Sequence, residues 1–544
     1  MQIRLKLVAI ALLVLLLGSL GAAGVSFAQS NLKIAAADTA QANVSSALAA
    51  ELQKTPLSRA FIEYQQRKAA GEVATQTPDG HGLGYAPPPI DLSQWPAAPA
   101  LAQGQALPAA YDLRSKNKVS PVEDQGGCGS CWTFATFGSL ESVLLPAWST
   151  VFSENHLKNL HDFDTPHMNC CEDGDALMSA AYFARWGTTE KDSTGSPIFA
   201  GPVSQTDDPY NVSCAESAPM IPLAAHVQNV YWLPARQGPM DNRAIKSAIM
   251  TYGGVFTAFE WRGSASYWNY ATAAYYDYND SLATLQLNHA VTIVGWDDNY
   301  AKTNFSTTPP GYGAWIVKNS WGTSWGQSGY FYVSYYDANF GHHDNVVFTA
   351  EPATNYKTNY QYDPFGLVTG YGKNSSSTGY AANVFSATSD GTLKAISFWT
   401  LAPGTRYIAK VYVDPKPDNP ASGALASTIS GSTPYAGYHT ESLTAGVPLK
   451  TGEKFAVVVK FTRPAYSGPL ETGAVNITGG PIPAQTRILG NDSRTLPEPG
   501  RAGYDSKVPA TPSGVSFISL DGHSWIDVTR IDPYGAVNVH AFAS

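Results

Sequence analysis

The stretch QGGCGSCWTF, residues 125–134, places two cysteines three positions apart among glycines, with a tryptophan directly after the second. This pattern fits three kinds of site: a metal clip, a redox pair, or a disulfide cysteine beside a reactive thiol. A structural zinc site needs four ligands, usually as two close pairs, and the adjacent Cys170 and Cys171 are poorly spaced for one tetrahedral ion. A thioredoxin-like pair needs a strand directly before it, whereas residues 121–129 are polar and rich in glycine.

The residues after this stretch predict a helix with Cys131 at its N-terminus. Apolar residues recur there at helical spacing, at Phe134, Phe137, Leu140, Val143 and Leu144. Unpaired N–H groups and the helix dipole at that end favour a thiolate, which is the reactive form of cysteine. The preceding glycines allow the backbone to approach a substrate closely. These features favour a nucleophilic Cys131.

A thiolate nucleophile needs a base held in one orientation. LNHAVTIVGWDD, residues 287–298, places His289 at the head of an apolar strand. AWIVKNSWGTSWG, residues 314–326, places Asn319 at the end of another, with Trp321 just beyond. The asparagine oxygen can accept a hydrogen bond from one imidazole nitrogen and aim the other nitrogen at the sulfur. The indole would shield that hydrogen bond from water.

Three stretches resemble the papain-type cysteine peptidases: PVEDQGGCGSCWTFA at 121–135, NHAVTIVGW at 288–296 and KNSWGTSWGQSGYF at 318–331. The resemblance covers roughly residues 107–350. It implies that Cys131 is the nucleophile, His289 the general base and acid, and Asn319 the residue that orients the imidazole. Gln125 would donate to the oxyanion together with the backbone N–H of Cys131. The implied fold class is α+β: a papain-like peptidase of two lobes, one helical and one β-barrel-like, followed by an antiparallel β-sandwich.

The resemblance also assigns the five cysteines of the chain. NCCEDG, residues 169–174, is similar to a cysteine-containing segment of the family, which implies a disulfide between Cys128 and Cys171. A second disulfide would join Cys170 and Cys214, leaving the Cys131 thiol free. Neither a metal nor a cofactor is expected.

The same segment supplies candidate substrate-binding residues. Gly174 matches the family glycine whose backbone pairs with an extended substrate. Asp175 stands where an aromatic residue is common in the family. Its carboxylate either lines the groove, favouring a basic side chain two residues before the cut, or points into solvent. Trp321 is the third predicted substrate-binding residue.

The 544 residues are too many for one ordinary domain, and four segments are predicted. Residues 1–28 have the charges, apolar run and small residues of a signal peptide, with an uncleaved membrane anchor as the alternative. Residues 29–106 are rich in Ala and Pro, which is typical of a prosegment or linker. Residues 107–352 contain the peptidase motifs, and residues 353–544 follow them.

The last segment has strand-length apolar runs separated by turn residues, which predicts the antiparallel sandwich. STPYAGYHTESLTAGVPLKTGEKFAVVVKF, residues 432–461, resembles the lectin-like domain found behind this peptidase type in some bacterial and archaeal secreted or surface proteins. A glycan or cell-surface ligand is therefore possible for this domain, and a protein or peptide substrate is expected for the peptidase.

Two functions remain open: a secreted or cell-surface cysteine endopeptidase with an accessory β-domain, or a catalytically silent adhesion or carbohydrate-binding protein on a peptidase scaffold. The net charge of −9, with no cluster of Lys and Arg, argues against a nucleic-acid partner. A membrane association is expected only if the N-terminal segment stays uncleaved.

Overall fold

The computed structural model describes residues 51–93, 106–163, 170–186, 199–214, 221–279, 286–373, 376–464, 482–485 and 509–544. Residues 53–544 form one compact unit, which contains every element described below. The predicted signal segment lies outside the described residues. Within those residues, no helix has the length and apolar character needed to cross a bilayer.

The α-helices of the described residues are α1 (Arg59–Ala69), α2 (Cys131–Leu144), α3 (Glu154–Leu160), α4 (Ala176–Ala184) and α5 (Arg243–Thr251). Helix α2 starts at Cys131, as predicted, but it is not amphipathic: every residue from 131 to 142 is buried. It packs against α3 and α4 on one side and against the sheet of the peptidase region on the other, so that both of its faces lie in the core.

The strands follow in chain order. They are β1 (Gln53–Lys54), β2 (Ala110–Asp112), β3 (Ala225–Trp232), β4 (Val255–Phe259), β5 (Trp268–Asn269), β6 (Ala274–Tyr275), β7 (His289–Asp297), β8 (Ala314–Lys318), β9 (Tyr330–Ser334), β10 (Asn345–Pro352), β11 (Thr358–Tyr360), β12 (Thr369–Gly372), β13 (Thr378–Ser386), β14 (Gly391–Thr400), β15 (Arg406–Val413), β16 (Ala424–Ser432), β17 (Ala436–Leu449), β18 (Lys454–Thr462), β19 (Ile482–Gln485), β20 (Ser516–Ser519), β21 (Ile526–Asp527), β22 (Ala536–Val537) and β23 (Val539–Ala543).

The sheet of the predicted peptidase region fixes the relative positions of the two predicted partners of Cys131. Strand β7 pairs with β4 and with β8, both antiparallel, and Thr292 of β7 lies opposite Lys318 of β8. His289 begins β7, and Asn319 directly follows the last residue of β8. Antiparallel pairing brings the start of one strand to the end of its neighbour, so both side chains lie at the same edge.

The C-terminal region is antiparallel and β-rich, and the α+β class is confirmed. One sheet has the order β16-β15-β18-β13-β20-β21. A larger sheet runs from β11 through β23, β14 and β17 into β3 and β10 of the peptidase region. Hydrogen bonding therefore continues across the boundary predicted at residue 352, through the pairing of Gly437 with Tyr231 and its two neighbouring pairs.

Residues 53–93 pack closely against the rest of the chain. Helix α1 has the N-cap Ser58, whose side chain accepts a hydrogen bond from the Phe61 amide. Strand β1 pairs with β12 of the C-terminal region. Six large apolar side chains of the segment are buried, namely Phe61, Tyr64, Leu83, Tyr85, Ile90 and Leu92. The Ala- and Pro-rich composition thus includes a stretch with its own packed contacts.

We predict that Gly437→Val lowers the free energy of unfolding by about 2 kcal/mol or more. Gly437 has a φ of +125°, and an added Cβ would overlap the carbonyl of Val230 on the neighbouring strand β3. Gly238→Val is the matched control, because nothing lies within 4 Å of the Cβ it would add. Calorimetry on both variants measures the difference, and equal stability would contradict a structural role for the β3–β17 pairing.

Candidate active site

Cys131 lies at the first position of α2, after the polar loop that the sequence predicted. Its side chain is fully buried, and it is the free cysteine of the described residues. The sulfur accepts a hydrogen bond from the backbone N–H of Ala290 at 3.3 Å. Because Ala290 follows His289 directly, this contact brings the start of β7 against the start of α2.

His289 is held by the end of the neighbouring strand. Its Nε2 donates to Oδ1 of Asn319 at 2.8 Å, and the Ser320 amide donates to the same oxygen at 2.9 Å. The Trp321 ring stacks on the imidazole with centroids 4.5 Å apart and planes 22° apart. Among the described residues, Nδ1 of His289 has no hydrogen-bond partner. That nitrogen is therefore available for proton exchange with the sulfur.

Gln125 lies beside the nucleophile with both ends of its amide engaged. Its Nε2 donates to the carbonyls of Cys128 at 2.7 Å and Gly82 at 3.1 Å. Its Oε1 accepts from the Ser320 hydroxyl at 2.6 Å, which fixes the orientation of the amide. If Gln125 donates to an oxyanion, as predicted from the sequence, its Nε2 is the donor, and here the Gly82 carbonyl accepts from it.

Residues 81–86 of the N-terminal segment run across this site. The His81 ring stacks on Trp321 with centroids 5.0 Å apart. Gly84 donates its N–H to the Asn288 carbonyl at 3.0 Å. Tyr85 pairs with Gly174 in a parallel bridge. The Gly174 N–H donates to the Gly84 carbonyl, and the Ala86 N–H donates to the Gly174 carbonyl, each at 3.1 Å. The backbone of Gly174 therefore binds an extended chain, and in this structure that chain is the protein's own.

Two glycines allow this close approach. A Cβ on Gly82 would overlap the Cys128 carbonyl, and a Cβ on Gly84 would overlap the Gly129 carbonyl. Both obstacles are backbone atoms of the loop before α2, which cannot rotate away as a side chain could. Any larger residue at 82 or 84 would push the segment off the loop.

Residues 53–93 are also held by polar contacts distant from the sulfur. The Tyr64 hydroxyl of α1 donates to the Asp173 carboxylate. Lys68 forms ion pairs with Glu172 at 3.3 Å and Asp173 at 3.2 Å. These contacts fix α1 to the loop that precedes Gly174.

Burial favours the neutral forms of Cys131 and His289. Burial raises the pKa of the Cys131 thiol to about 12 and lowers the pKa of the His289 imidazole to about 4. Helix position predicted a thiolate at Cys131, but here the loss of solvent outweighs the helix dipole and the backbone hydrogen bonds to sulfur. A neutral thiol is a poor nucleophile.

Two disulfides surround the nucleophile. Cys128 is bonded to Cys171, and Cys170 to Cys214. The sulfurs of Cys128, Cys170 and Cys171 lie within 4.8 Å of one another. All three sulfurs are in disulfides, so none offers a thiolate to a metal ion.

Of the two positions predicted for Asp175, the solvent-facing one is wrong. Its carboxylate accepts from the Met178 amide at 2.9 Å and forms the N-cap of α4. The side chain is 1% exposed, so it does not point into solvent. The apolar run 176–184 after an aspartate was a sequence signal for this capping role.

Three residues near the site were not foreseen: His81, Tyr85 and Asp344. The Tyr85 hydroxyl donates to Oδ2 of Asp344 at 2.8 Å, across 259 positions of sequence. No local pattern predicts a contact of that separation. The glycines flanking Leu83 were a local signal that the backbone there approaches another surface closely.

We predict that denatured, unreduced protein reacts with one equivalent of iodoacetamide, at Cys131. The other four cysteines are in the two disulfides and cannot be alkylated. Peptide mapping without reduction identifies the labelled residue and both pairs. A Cys128–Cys131 bond would contradict the assignment, because it would consume the nucleophile.

Comparison with known proteins agrees with this geometry. Residues 107–350 match the family described as papain family cysteine protease, and residues 359–479 match the lectin like domain family. Cathepsin K of Mus musculus is 31% identical over 225 residues, which are 41% of this chain and 59% of the relative. The probable cysteine protease RD19B of Arabidopsis thaliana is 28% identical over 253 residues, 45% of this chain and 62% of the relative. The chain thus spans less than two thirds of the length of each relative.

The fold also matches a solved structure across both regions. The cysteine protease and lectin-like domains of Cwp84, a surface layer associated protein of Clostridium difficile, align with a TM-score of 0.68 and 22% identity. The match covers 91% of this chain and 98% of the Cwp84 chain. The chain therefore carries a papain-family cysteine peptidase domain followed by a lectin-like domain.

Proposed function

We propose that this chain is a secreted or cell-surface cysteine endopeptidase, made as a zymogen, in which Cys131 attacks the peptide carbonyl. The observation that carries the proposal is the His289–Asn319 hydrogen bond at the edge where the Ala290 amide meets the Cys131 sulfur. This arrangement supports proton transfer from sulfur to Nδ1, which leaves a thiolate beside an imidazolium.

The reaction then follows from the position of each group. The thiolate forms a bond to the substrate carbonyl carbon, and the carbonyl oxygen becomes an oxyanion. Gln125 and the backbone N–H of Cys131 donate to that oxygen. The His289 imidazolium protonates the leaving amine, and water then hydrolyses the thioester with His289 as the base. Trp321 and Asn319 keep the imidazole in its plane throughout.

Residues 53–93 act as an inhibitory prosegment in this proposal. The Gly82 carbonyl takes the Gln125 donor, and the backbone of Gly84 and Ala86 takes the Gly174 pairing positions. Substrate needs all of these groups, so it cannot bind until the segment leaves. In this proposal the segment also adds to the burial that raises the pKa of Cys131.

Export is supported by the signal-like residues 1–28 and by the two disulfides, which persist outside the cytoplasm. The similarity to a surface layer associated protease supports the same location. The lectin-like domain would hold the peptidase near a protein substrate or a surface. The alternative is a catalytically inactive adhesion protein on the same scaffold. Such a protein would not require a buried thiol beside an imidazole held in one orientation.

We predict that Cys131→Ala abolishes peptide hydrolysis, because no neighbouring group can replace the sulfur. Gln125→Ala should retain activity reduced by about 10²–10³-fold, as expected for the loss of one oxyanion donor. The exposed Met240→Ala is the control. Hydrolysis of a fluorogenic peptide by the processed protein, with labelling by a thiol-directed epoxide, measures all three. Full activity in Cys131→Ala would refute the mechanism, and an unlabelled, inactive wild type would favour the silent alternative.

We also predict that Gly84→Val accelerates alkylation of Cys131 in the intact, folded chain by about tenfold or more. The added side chain would overlap the Gly129 carbonyl and displace the segment, so that the thiol regains solvent and its pKa falls. Ala74→Val adds the same kind of bulk at an exposed position of the segment and should leave the rate unchanged. Equal rates in the two variants would rule out inhibition by coverage.

A further inference from the structure

The side chain of Tyr85 fills a pocket next to the nucleophile. Its own amide donates to the Asn288 carbonyl at 3.2 Å, and its two neighbours make the hydrogen bonds to Gly174. The Tyr85 side chain is 2% exposed and packs near Phe256, with ring centroids 6.5 Å apart. Tyr85 belongs to the same buried apolar cluster as Phe256 and Leu287, and its hydroxyl contacts Asp344. We call the space that its side chain occupies the Tyr85 pocket.

A carboxylate closes the inner end of the pocket. Asp344, just before β10, accepts the Tyr85 hydroxyl at 2.8 Å with one oxygen and the Trp232 indole N–H at 3.1 Å with the other. The residue is 2% exposed. Burial, followed by the nearby Asp91, raises the pKa of this carboxyl to about 8. Asp344 is thus a buried acceptor that holds a donor from the prosegment.

The pocket belongs to the peptidase, whereas its occupant belongs to the prosegment. When residues 53–93 leave, Tyr85 and Asp91 leave with them. Asp344 keeps the Trp232 hydrogen bond, and its other oxygen loses its donor. A buried acceptor without a donor costs free energy, so the pocket discriminates against a side chain that cannot supply one.

We propose that Asp344 is a specificity-determining residue of the mature peptidase. It selects substrates whose side chain at the position paired with Gly174 ends in a hydrogen-bond donor, so that arginine and tyrosine are preferred to phenylalanine and leucine. The proposal rests on the peptidase function proposed above. We expect the arginine substrate to gain most in kcat/KM, because its positive charge favours the ionised form of Asp344, whose carboxylate then accepts a charge-assisted hydrogen bond from the guanidinium.

Asp175 is the competing carboxylate near the pocket. It acts on the Tyr85 phenol electrostatically, as Asp344 does, but its own carboxylate caps α4. Asp175→Asn preserves the capping ability, since asparagine is an equally good N-cap. This variant is therefore a matched control for Asp344→Asn, because each replaces a carboxyl group by an amide and keeps the side-chain shape.

The first test uses the intact chain and needs no catalysis. Tyr85→Phe removes the hydroxyl that meets Asp344 and should raise the rate of Cys131 alkylation by iodoacetamide about tenfold, because alkylation follows the population of the open state. In an Asp344→Asn background the same change should have a smaller effect. Equal effects in both backgrounds would show that the Tyr85–Asp344 contact does not hold the segment, and would overturn the proposal.

The second test uses the processed full-length protein and three fluorogenic peptides that differ only at the residue paired with Gly174, as Arg, Tyr or Phe. Wild type should cleave the Arg and Tyr peptides with higher kcat/KM than the Phe peptide. Asp344→Asn should lower the Arg-to-Phe ratio of kcat/KM about 10- to 100-fold, the loss expected for a charge-assisted hydrogen bond. Asp175→Asn should change that ratio less than about threefold.

Each contrary result has one meaning. An unchanged ratio in Asp344→Asn, or a ratio that falls only in Asp175→Asn, overturns the assignment of Asp344. If no peptide is cleaved and the epoxide does not label Cys131, the proposed peptidase function fails instead. The alkylation experiment still decides the Tyr85–Asp344 contact in that case.

Discussion

The rest of the site depends on the burial of one sulfur atom beneath the backbone of residues 82–85. Removing water from Cys131 keeps it as a thiol, and keeps His289 uncharged beside it. Ionising both groups in a space without water would cost more free energy than the helix dipole contributes. Only a chain without side chains at 82 and 84 approaches closely enough to impose this state. In the proposed mechanism, latency is therefore a matter of solvation, and the groups proposed for catalysis are already in place while the segment covers them.

That assembled geometry comes from strand pairing. The β7–β8 register sets the distance between His289 and Asn319, and α2 brings the sulfur to the same edge. The surrounding tryptophan and serine contacts hold the imidazole and the Gln125 amide in fixed orientations. If residues 53–93 act as the prosegment proposed above, their release and activation would be one event, because no side chain of the site needs to move.

The sequence predicted the parts of the site that have local signals. The start of α2 at Cys131, and the strands that carry His289 and precede Asn319, follow from apolar periodicity and breaker residues. The path of residues 53–93 could not be predicted, because its contacts with Gln125, Asn288 and Gly174 join distant parts of the chain without any shared pattern. The same holds for Asp344, which looks like an ordinary loop aspartate until Tyr85 is placed against it. The sequence contained a signal for an N-cap at Asp175, but the family resemblance favoured a residue that lines the substrate groove.

The pairing of β17 with β3 has a consequence for how such chains can be recombined. A domain that is joined to its neighbour only by a loop can be exchanged between genes without breaking hydrogen bonds of that neighbour. Here the lectin-like region completes the hydrogen bonds of a peptidase strand, at Ala436–Trp232, Gly437–Tyr231 and Tyr438–Val230. A transplanted domain would have to supply an edge strand of matching direction and register, with a glycine at the close crossing. Without one, β3 would present an open edge, and open edges favour aggregation. The two regions are therefore expected to be inherited together.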